Sequence, residues 1–313
     1  MQSVSVFAPA SVANVGCAYD VLGFALEKPG DKVIMHLNNS GNITLDRIEG
    51  DQGMLPKDPE KNIVTAVVKY YFDKLNIHKG VSVELYKEMP FGSGLGSSSA
   101  SAVAGLVAIN ELMGNPLTRE QLLPLAMEGE RLACGNAHAD NVAPSLLGGL
   151  VLIRSYDPLD IVRLPFSDSL HIAVLYPHVE IPTLEARKIL KTNVPITDAI
   201  KQWGNIAGLV AGFCMGDEKL IGRSLHDYII EPVRAMLIPD FYQMRTIAMK
   251  GGALGFGISG SGPSVFTLCN NPDTATKILE LLKNHLAKEG IESTGYLSAI
   301  NKQGPVIQTP DQP

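Results

Sequence analysis

The sequence predicts an α+β fold in two parts, residues 1–165 and 166–313. Three observations carry this. Short alternating runs such as Val4, Val6, Ala8 and Val81, Val83, Leu85 read as strands, and stretches of helical periodicity lie among them. The rhythm changes over Arg154–Phe166, where Pro158 and Pro165 interrupt the pattern, and this places the boundary. The second half then sets helices between strands of antiparallel type, as in a split-βαβ, ferredoxin-like domain.

Taken in order, Val4–Ala8 is a strand and Pro9 opens an irregular stretch holding Asn14, Gly16 and Asp20. Lys32–Leu37 and Ile43–Ile48 are strands around the turn signal Asn38-Asn39-Ser40-Gly41. Ile63, Ala66, Val67, Tyr70 and Tyr71 repeat as one face of a helix over 62–75. A strand over Val81–Tyr86 leads to a Gly/Ser loop and a helix from about Ser97 to Met113. Thr118 and Gln121 have capping-box spacing ahead of a helix to about Leu132, and Leu150–Ile153 is a short strand. The second half reads strand (171–176), helix (184–190), helices between Asp198 and Met249, strands 253–258 and 264–268, helix 273–288 and strand 292–299. The tail beyond Ile300 is expected to be loosely ordered. No internal repeat is visible.

The Gly/Ser loop carries the first chemistry. Gly92, Gly94 and Gly96 fall within five residues, and Ser97, Ser98 and Ser99 follow at the start of a small apolar helix. Glycines admit close backbone approach, and a helix N-terminus offers unpaired N–H groups and partial positive charge, so the run is an anion site suited to phosphate. A serine hydroxyl there can also hold Mg²⁺. The spelling is neither G-x-x-x-x-G-K-[ST], since the loop has no lysine, nor G-x-G-x-x-G. A plain Gly/Ser linker is disfavoured by the strand before the loop and the apolar helix after it.

Composition narrows the setting. The chain has 313 residues, 45% hydrophobic and 19% charged, with a net charge of −6 and no Lys/Arg block, which argues against nucleic acid as a partner. The N-terminal stretch lacks the pattern of a signal peptide, and no apolar run approaches the roughly 20 residues of a membrane span. Cys17, Cys134, Cys214 and Cys269 are widely spaced and form no C-x-x-C pair, so they read as free thiols in a reducing compartment. The expectation is a cytoplasmic protein.

PFGSGLGSSSAS resembles the P-x-x-x-G-L-G-S-S-[AS]-A signature of the GHMP kinases, through Pro90, Gly94, Leu95, Gly96, Ser97, Ser98 and Ala100. Five further blocks are similar to homoserine kinases in particular. They are PASVANVGCAYDVLGFAL from Pro9, EGERLACGNAHADNVAPSLLGG from Glu128, PTLEARKIL from Pro182, EPVRAMLIP from Glu231 and GISGSGPSVF from Gly257. Val15, Cys17, Ala18 and Tyr19 depart from the family's commonest letters; its first block has phenylalanine where Tyr19 stands. The resemblance implies an N-terminal α+β domain and a ferredoxin-like C-terminal domain with the active site between them. It also implies ATP and Mg²⁺ as cofactors and L-homoserine as the substrate phosphorylated on its hydroxyl, in threonine biosynthesis. Another small-molecule kinase of the superfamily, acting on mevalonate or a sugar, is the alternative.

The resemblance assigns roles residue by residue. ATP falls to Asn62, Lys87 and the loop Pro90, Phe91, Gly92, Ser93, Gly94, Leu95, Gly96, Ser97, Ser98, Ser99 and Ala100. The metal falls to Ser98 and Glu130, with Glu128 a competitor two residues away. Asn62 is also a natural helix N-cap, and Lys87 at a strand end is ordinarily only solvated. Homoserine falls to Asn14, Asp20, His138, Arg187 and Arg234. The chemistry agrees: guanidinium groups suit a carboxylate, and Asp20 suits the ammonium or the hydroxyl. Taken singly, Asn14 and Asp20 are also good turn residues, Arg187 an ordinary solvated face, and His138 a structural histidine.

Mevalonate and galactose kinases carry an aspartate where this chain has Asn141. An amide cannot act as a general base. The expectation is therefore that Asn141 and Asn14 orient the substrate hydroxyl, that Asp140 faces elsewhere, and that no side chain is a strong base. A loose phosphoryl-transfer transition state needs little prior deprotonation. A homodimer is expected as plausible.

Overall fold

A computed structural model describes residues 3–135, 138–181 and 183–308. Residues 136–137 and 182 of the matched blocks, and 309–313 of the tail, lie outside them.

A long second strand organises the first half. β1 (Ser3–Ala13) and β2 (Leu22–Asn38) pair antiparallel, with a register shift between Pro9 and Ser11. The sequence expectation ends this strand at Pro9. The strand instead continues to Ala13, because the missing N–H of a proline is tolerated where the ladder is irregular. The far half of β2 pairs with β4 (Gly80–Lys87), and β3 (Ile43–Glu49) lies parallel to β4. The near end of β2, Leu22–Phe24, pairs with β5 (Leu150–Tyr156), and β6 (Leu159–Leu164) completes a hairpin with β5. The irregular rhythm over Arg154–Phe166 is thus mostly a hairpin turning at Asp157-Pro158.

The tail corrects another expectation. Val306–Gln308 pairs antiparallel with Ser5–Phe7 as the last strand of this seven-stranded sheet. It satisfies backbone groups on an edge of β1 that would otherwise be open.

Four helices cover this half: α1 (Ile63–Leu75), α2 (Ser97–Leu112), α3 (Arg119–Cys134) and α4 (Ala139–Leu147). α2 packs on β1 and β2 and among the other three. It is buried on nearly every side, which is why its sequence is small and apolar all round and has no polar stripe. The capping box of Thr118 and Gln121 is present. α4 was not foreseen; it is short, contains Pro144, and its N-cap His138 makes no side-chain capping bond.

The second sheet contains β7 (His171–Pro177), β8 (Gly255–Ile258), β9 (Val265–Cys269) and β10 (Ser293–Ala299), in the order β10-β7-β9-β8 and all antiparallel. α5 (Thr183–Lys188), α6 (Ile196–Met215), α7 (Glu218–Ser224), α8 (Glu231–Arg234) and α9 (Phe241–Gly251) lie between β7 and β8, and α10 (Pro272–Lys288) between β9 and β10. This is the ferredoxin-like strand order. Both faces of the sheet are buried. Ala173 and Leu175 face a cluster with Phe241, Ile278 and Leu282, while Ile172, Val174 and Phe266 join the core of the first sheet. Phe24 and Phe266 meet edge to face at 6.0 Å, so one apolar core joins the two sheets.

Candidate active site

The loop between β4 and α2 is where the halves meet. Gly96 caps α2 in the left-handed region, at φ +68°, and no side chain fills the cap. The first N–H groups of α2, from Ser97 to Ser99, therefore have no intrahelical acceptor. Gly94 also has a left-handed backbone, at φ +80°, and a Cβ there would lie 2.5 Å from the Ser259 carbonyl and 2.7 Å from that of Gly262. The β8–β9 turn holds the loop directly: Ser259 Oγ donates to the Gly94 carbonyl at 2.8 Å, and the Ser264 N–H donates to the Ser93 carbonyl at 3.2 Å. The Ser11 N–H donates to the Leu95 carbonyl from the first sheet at 3.0 Å. GISGSGPSVF, which had no assigned role, is the clamp on the loop.

Several assignments change. Ser93, Leu95, Ser99 and Ala100 have buried side chains, so these anchor the loop, and what they offer a nucleotide is backbone. Lys87 is neither solvated nor directed to phosphate. Its ammonium is buried against Asp31 and contacts the Ser97 and Ser101 hydroxyls and the Ser97 carbonyl, which uses up its three donors. Asn62 is also turned inward. Its Oδ1 accepts from the Val64 N–H at 3.0 Å and its Nδ2 donates to the Pro56 carbonyl at 3.2 Å, so the capping role holds and its amide faces the chain. The adjoining segment lines an open cleft of about 530 Å³ whose walls include Met54, Leu55, Pro90, Phe91, Tyr176 and His178.

Ser98 and Glu130 come together. Ser98 Oγ donates to Glu130 Oε1 at 2.6 Å at the first turn of α2, and Glu130 is buried. Two hard oxygen donors beside a helix N-terminus that draws phosphate suit Mg²⁺. Glu128 is excluded as their competitor: it is turned outward and binds Arg131 Nε at 2.8 Å.

A second polar cluster is tied to the same β8–β9 turn, whose Gly260 carbonyl accepts from Asn14 Nδ2 and Arg234 Nη1. Asp20 accepts from Arg187 Nη2 at 2.8 and 3.0 Å, and His138 Nδ1 is 3.9 Å from Asp20 Oδ1. Burial lowers the pKa of His138, so the ring is neutral near pH 7. Asn14, in the left-handed region at φ +56°, binds the Asp20 N–H through Oδ1 and the Gly260 carbonyl through Nδ2. Its amide is thus committed to shaping the pocket. Arg234 is buried and donates to the carbonyls of Gly260 at 2.9 Å and Ala186 at 3.4 Å. Among the described residues, no carboxylate is paired with it.

Asp140 was expected to face elsewhere, and this is corrected. Its carboxyl oxygen, one from Asp20 and a ring nitrogen of His138 all lie within 4.8 Å of one another. Burial, reinforced by the charges of Asp20 and Glu130, pushes the Asp140 carboxyl up to about 7. A turn of α4 brings Asp140 into this cluster while Asn141 reaches the loop: Asn141 Oδ1 accepts from Ser11 Oγ at 2.8 Å and would lie 2.7 Å from a Cβ on Gly96. Sequence reading also passed over Tyr19, whose ring meets both Arg187 and Arg234. Its departure from phenylalanine in the first block was the available signal.

A phosphate-type loop, with an oxygen pair for a cation at its helix, and a cluster of mixed charge are therefore both bonded to the β8–β9 turn. Residues 62–149 match the family model of the GHMP kinases N terminal domain, and residues 207–288 that of GHMP kinases C terminal. Homoserine kinases from Chloroherpeton thalassium and Chlorobium phaeobacteroides are each 44% identical to the chain, over 97% of it and 99% of theirs. The chain belongs to the homoserine kinase family of the GHMP kinases. The crystal structure of homoserine kinase from Cytophaga hutchinsonii superposes with a TM-score of 0.97 at 51% identity, covering 98% of both chains. A mevalonate kinase superposes at 0.72 with 16% identity, which shows the shared GHMP kinase fold alone.

Proposed function

We propose that this protein transfers a phosphoryl group from ATP to the side-chain hydroxyl of L-homoserine, giving O-phospho-L-homoserine for threonine biosynthesis. The observation that carries this, beyond membership of the family, is the charge pattern of the pocket. Among the described residues buried Arg234 has no carboxylate paired with it, while the charges of Asp20 and Asp140 act on it. An amino-acid zwitterion answers both: its carboxylate meets Arg234 and Arg187, and its ammonium meets Asp20 and Asp140. Mevalonate and sugars carry no ammonium and would bring no cation to Asp140.

In this reading the phosphates of ATP lie on the N–H groups of Ser97, Ser98 and Ser99, with the base in the cleft beside Met54, Leu55 and Phe91. Ser98 and Glu130 hold Mg²⁺, which when bound supplies charge neutralisation for the phosphates. Lys87 supports the loop from beneath. Asn141 holds the substrate hydroxyl beside Gly96, and Arg187 and the Asn14 amide keep Asp20 in place beside His138. The hydroxyl proton departs on the transferred phosphoryl group. The test is ATP consumption with L-homoserine against mevalonate and galactose, with the product identified by ³¹P NMR. Turnover of another alcohol but not of homoserine would defeat the assignment.

One observation favours a second reading of the proton's path. A carboxyl with a pKa of about 7 is well matched to general-base work, and Asp140 has one. Asp140→Asn separates the two. Loss of ammonium binding raises the KM for homoserine and leaves kcat within about tenfold; loss of a base lowers kcat by about 100-fold or more at unchanged KM.

A homodimer through the outer face of α6 also fits, as does a reducing cytoplasm. Cys17, Cys214 and Cys269 are free thiols, and no helix among the described residues is long and apolar enough to cross a membrane.

A further inference from the structure

Tyr19 stands between the two arginines of the pocket. The Arg187 guanidinium lies 5.2 Å from its ring centre and that of Arg234 5.0 Å, so both cations rest on one aromatic ring. A phenylalanine would supply the same ring. What tyrosine adds is a hydroxyl, and that hydroxyl is buried with no hydrogen-bond partner among the described residues. A buried O–H without an acceptor is costly, and the cost is recovered only when an acceptor arrives.

The chemistry of the acceptor follows from the surroundings. The charged groups acting on Tyr19 are Asp20, Arg234, Arg187 and Asp140. An ammonium can only donate and goes to the two carboxylates. A substrate hydroxyl is required at the loop, beside Gly96 and Asn141. An anion bridging Arg187 and Arg234 lies against the tyrosine they share. We propose that the Tyr19 hydroxyl donates a hydrogen bond to the substrate carboxylate, as a third donor beside Arg187 and Arg234, and thereby sets the preference for an α-carboxylate. This rests on the reading of the substrate as homoserine.

Tyr19→Phe keeps the ring and removes the donor. It raises the KM for L-homoserine about 10- to 100-fold, the worth of one hydrogen bond to a charged group, with kcat and the KM for ATP unchanged and Tm not lowered. 3-Aminopropan-1-ol has the ammonium and the hydroxyl but no carboxylate. Its inhibition constant, or its kcat/KM if it is turned over, stays within about twofold in the variant. An unchanged KM for homoserine overturns the proposal. So does an equal loss with both compounds, which would mean that the hydroxyl only shapes the pocket. Failure of the unaltered enzyme to phosphorylate homoserine removes the substrate reading itself, a result distinct from either.

Discussion

Arg234 has no carboxylate paired with it among the described residues. It is buried, it binds two carbonyl oxygens, and burial lowers its pKa. A guanidinium held this way is an unfinished anion site. Replacing it with methionine, of similar length, removes both the charge and its desolvation. Arg234→Met raises the KM for homoserine about 100-fold, leaves the KM for ATP near its original value, and does not lower Tm. A large rise in the ATP KM would show that Arg234 serves phosphate instead. Asp140 makes a prediction of opposite kind. Its carboxyl is raised to about 7, against about 3.9 in an unfolded chain. Between those values the folded protein keeps a proton that the unfolded chain has released, so stability falls as pH rises through this window and levels off above it. Asparagine has no proton to release. Asp140→Asn therefore melts well above the parent at about pH 8 and close to it at about pH 4.5, by calorimetry without substrates. A difference that is constant with pH would mean that Asp140 does not carry the shift. The types of these residues were legible in the motif blocks. Their partners were not, because Arg234 meets Gly260 and Arg187 meets Asp20 only after the chain has folded back across 26 and 167 positions.

At the scale of elements, the strand–loop–helix unit was the most legible part of the chain, because local rules write it: alternation in β4, three glycines, then a small apolar helix. Its support was hidden. Lys87 looked like an exposed strand end, yet the register of β2 on β4 sets Asp31 opposite it, 56 residues earlier. Asp31 is wholly buried and also accepts from Ser101 Oγ at 2.8 Å and from the Glu88 N–H at 3.1 Å. The pair thus fixes the end of β4 to the first turn of α2 at the foot of the phosphate loop. Removing one partner strands the other charge in the interior. Lys87→Met costs about 3–5 kcal/mol in urea unfolding and raises the KM for ATP, while Lys87→Met with Asp31→Asn restores part of the stability. If the single variant were as stable as the parent, the pair would contribute nothing and the loop would be held by Ser11, Ser259 and Ser264 instead. α4 and the closing strand at Val306–Gln308 escaped for a related reason. A short helix containing proline and a three-residue strand carry little periodicity, and long-range packing and an open sheet edge define them.

Across the whole molecule, α6 presents two unlike faces. Its inner face is tied to the segment just before Tyr19 and to Asp227: Gln202 Nε2 donates to the Cys17 carbonyl at 2.7 Å and to Asp227 at 2.8 Å, and Leu209 and Phe213 are buried. Its outer face exposes Ile196 by 63%, Ile200 by 58%, Trp203 by 60% and Met215 by 74%, with small Gly204 and Ala207 between them. Spaced at helical intervals, these residues form one continuous apolar stripe, of the kind that marks an interaction surface on a soluble protein. The stripe is bulky in its first half and small at its middle, and space is open where a Cβ on Gly204 would lie. A second copy related by a two-fold axis near Ala207 would run its α6 antiparallel and set Trp203 beside the partner's small residues, a self-complementary contact of the isologous kind. The prediction is that the protein is a dimer by light scattering at micromolar concentration, and that Ile200→Glu with Trp203→Glu makes it a monomer. Because Gln202 on the opposite face keeps its bonds, the monomer retains kcat within about threefold and loses mainly Tm. A parent that is already monomeric, or a double variant that stays dimeric, would move the interface off α6.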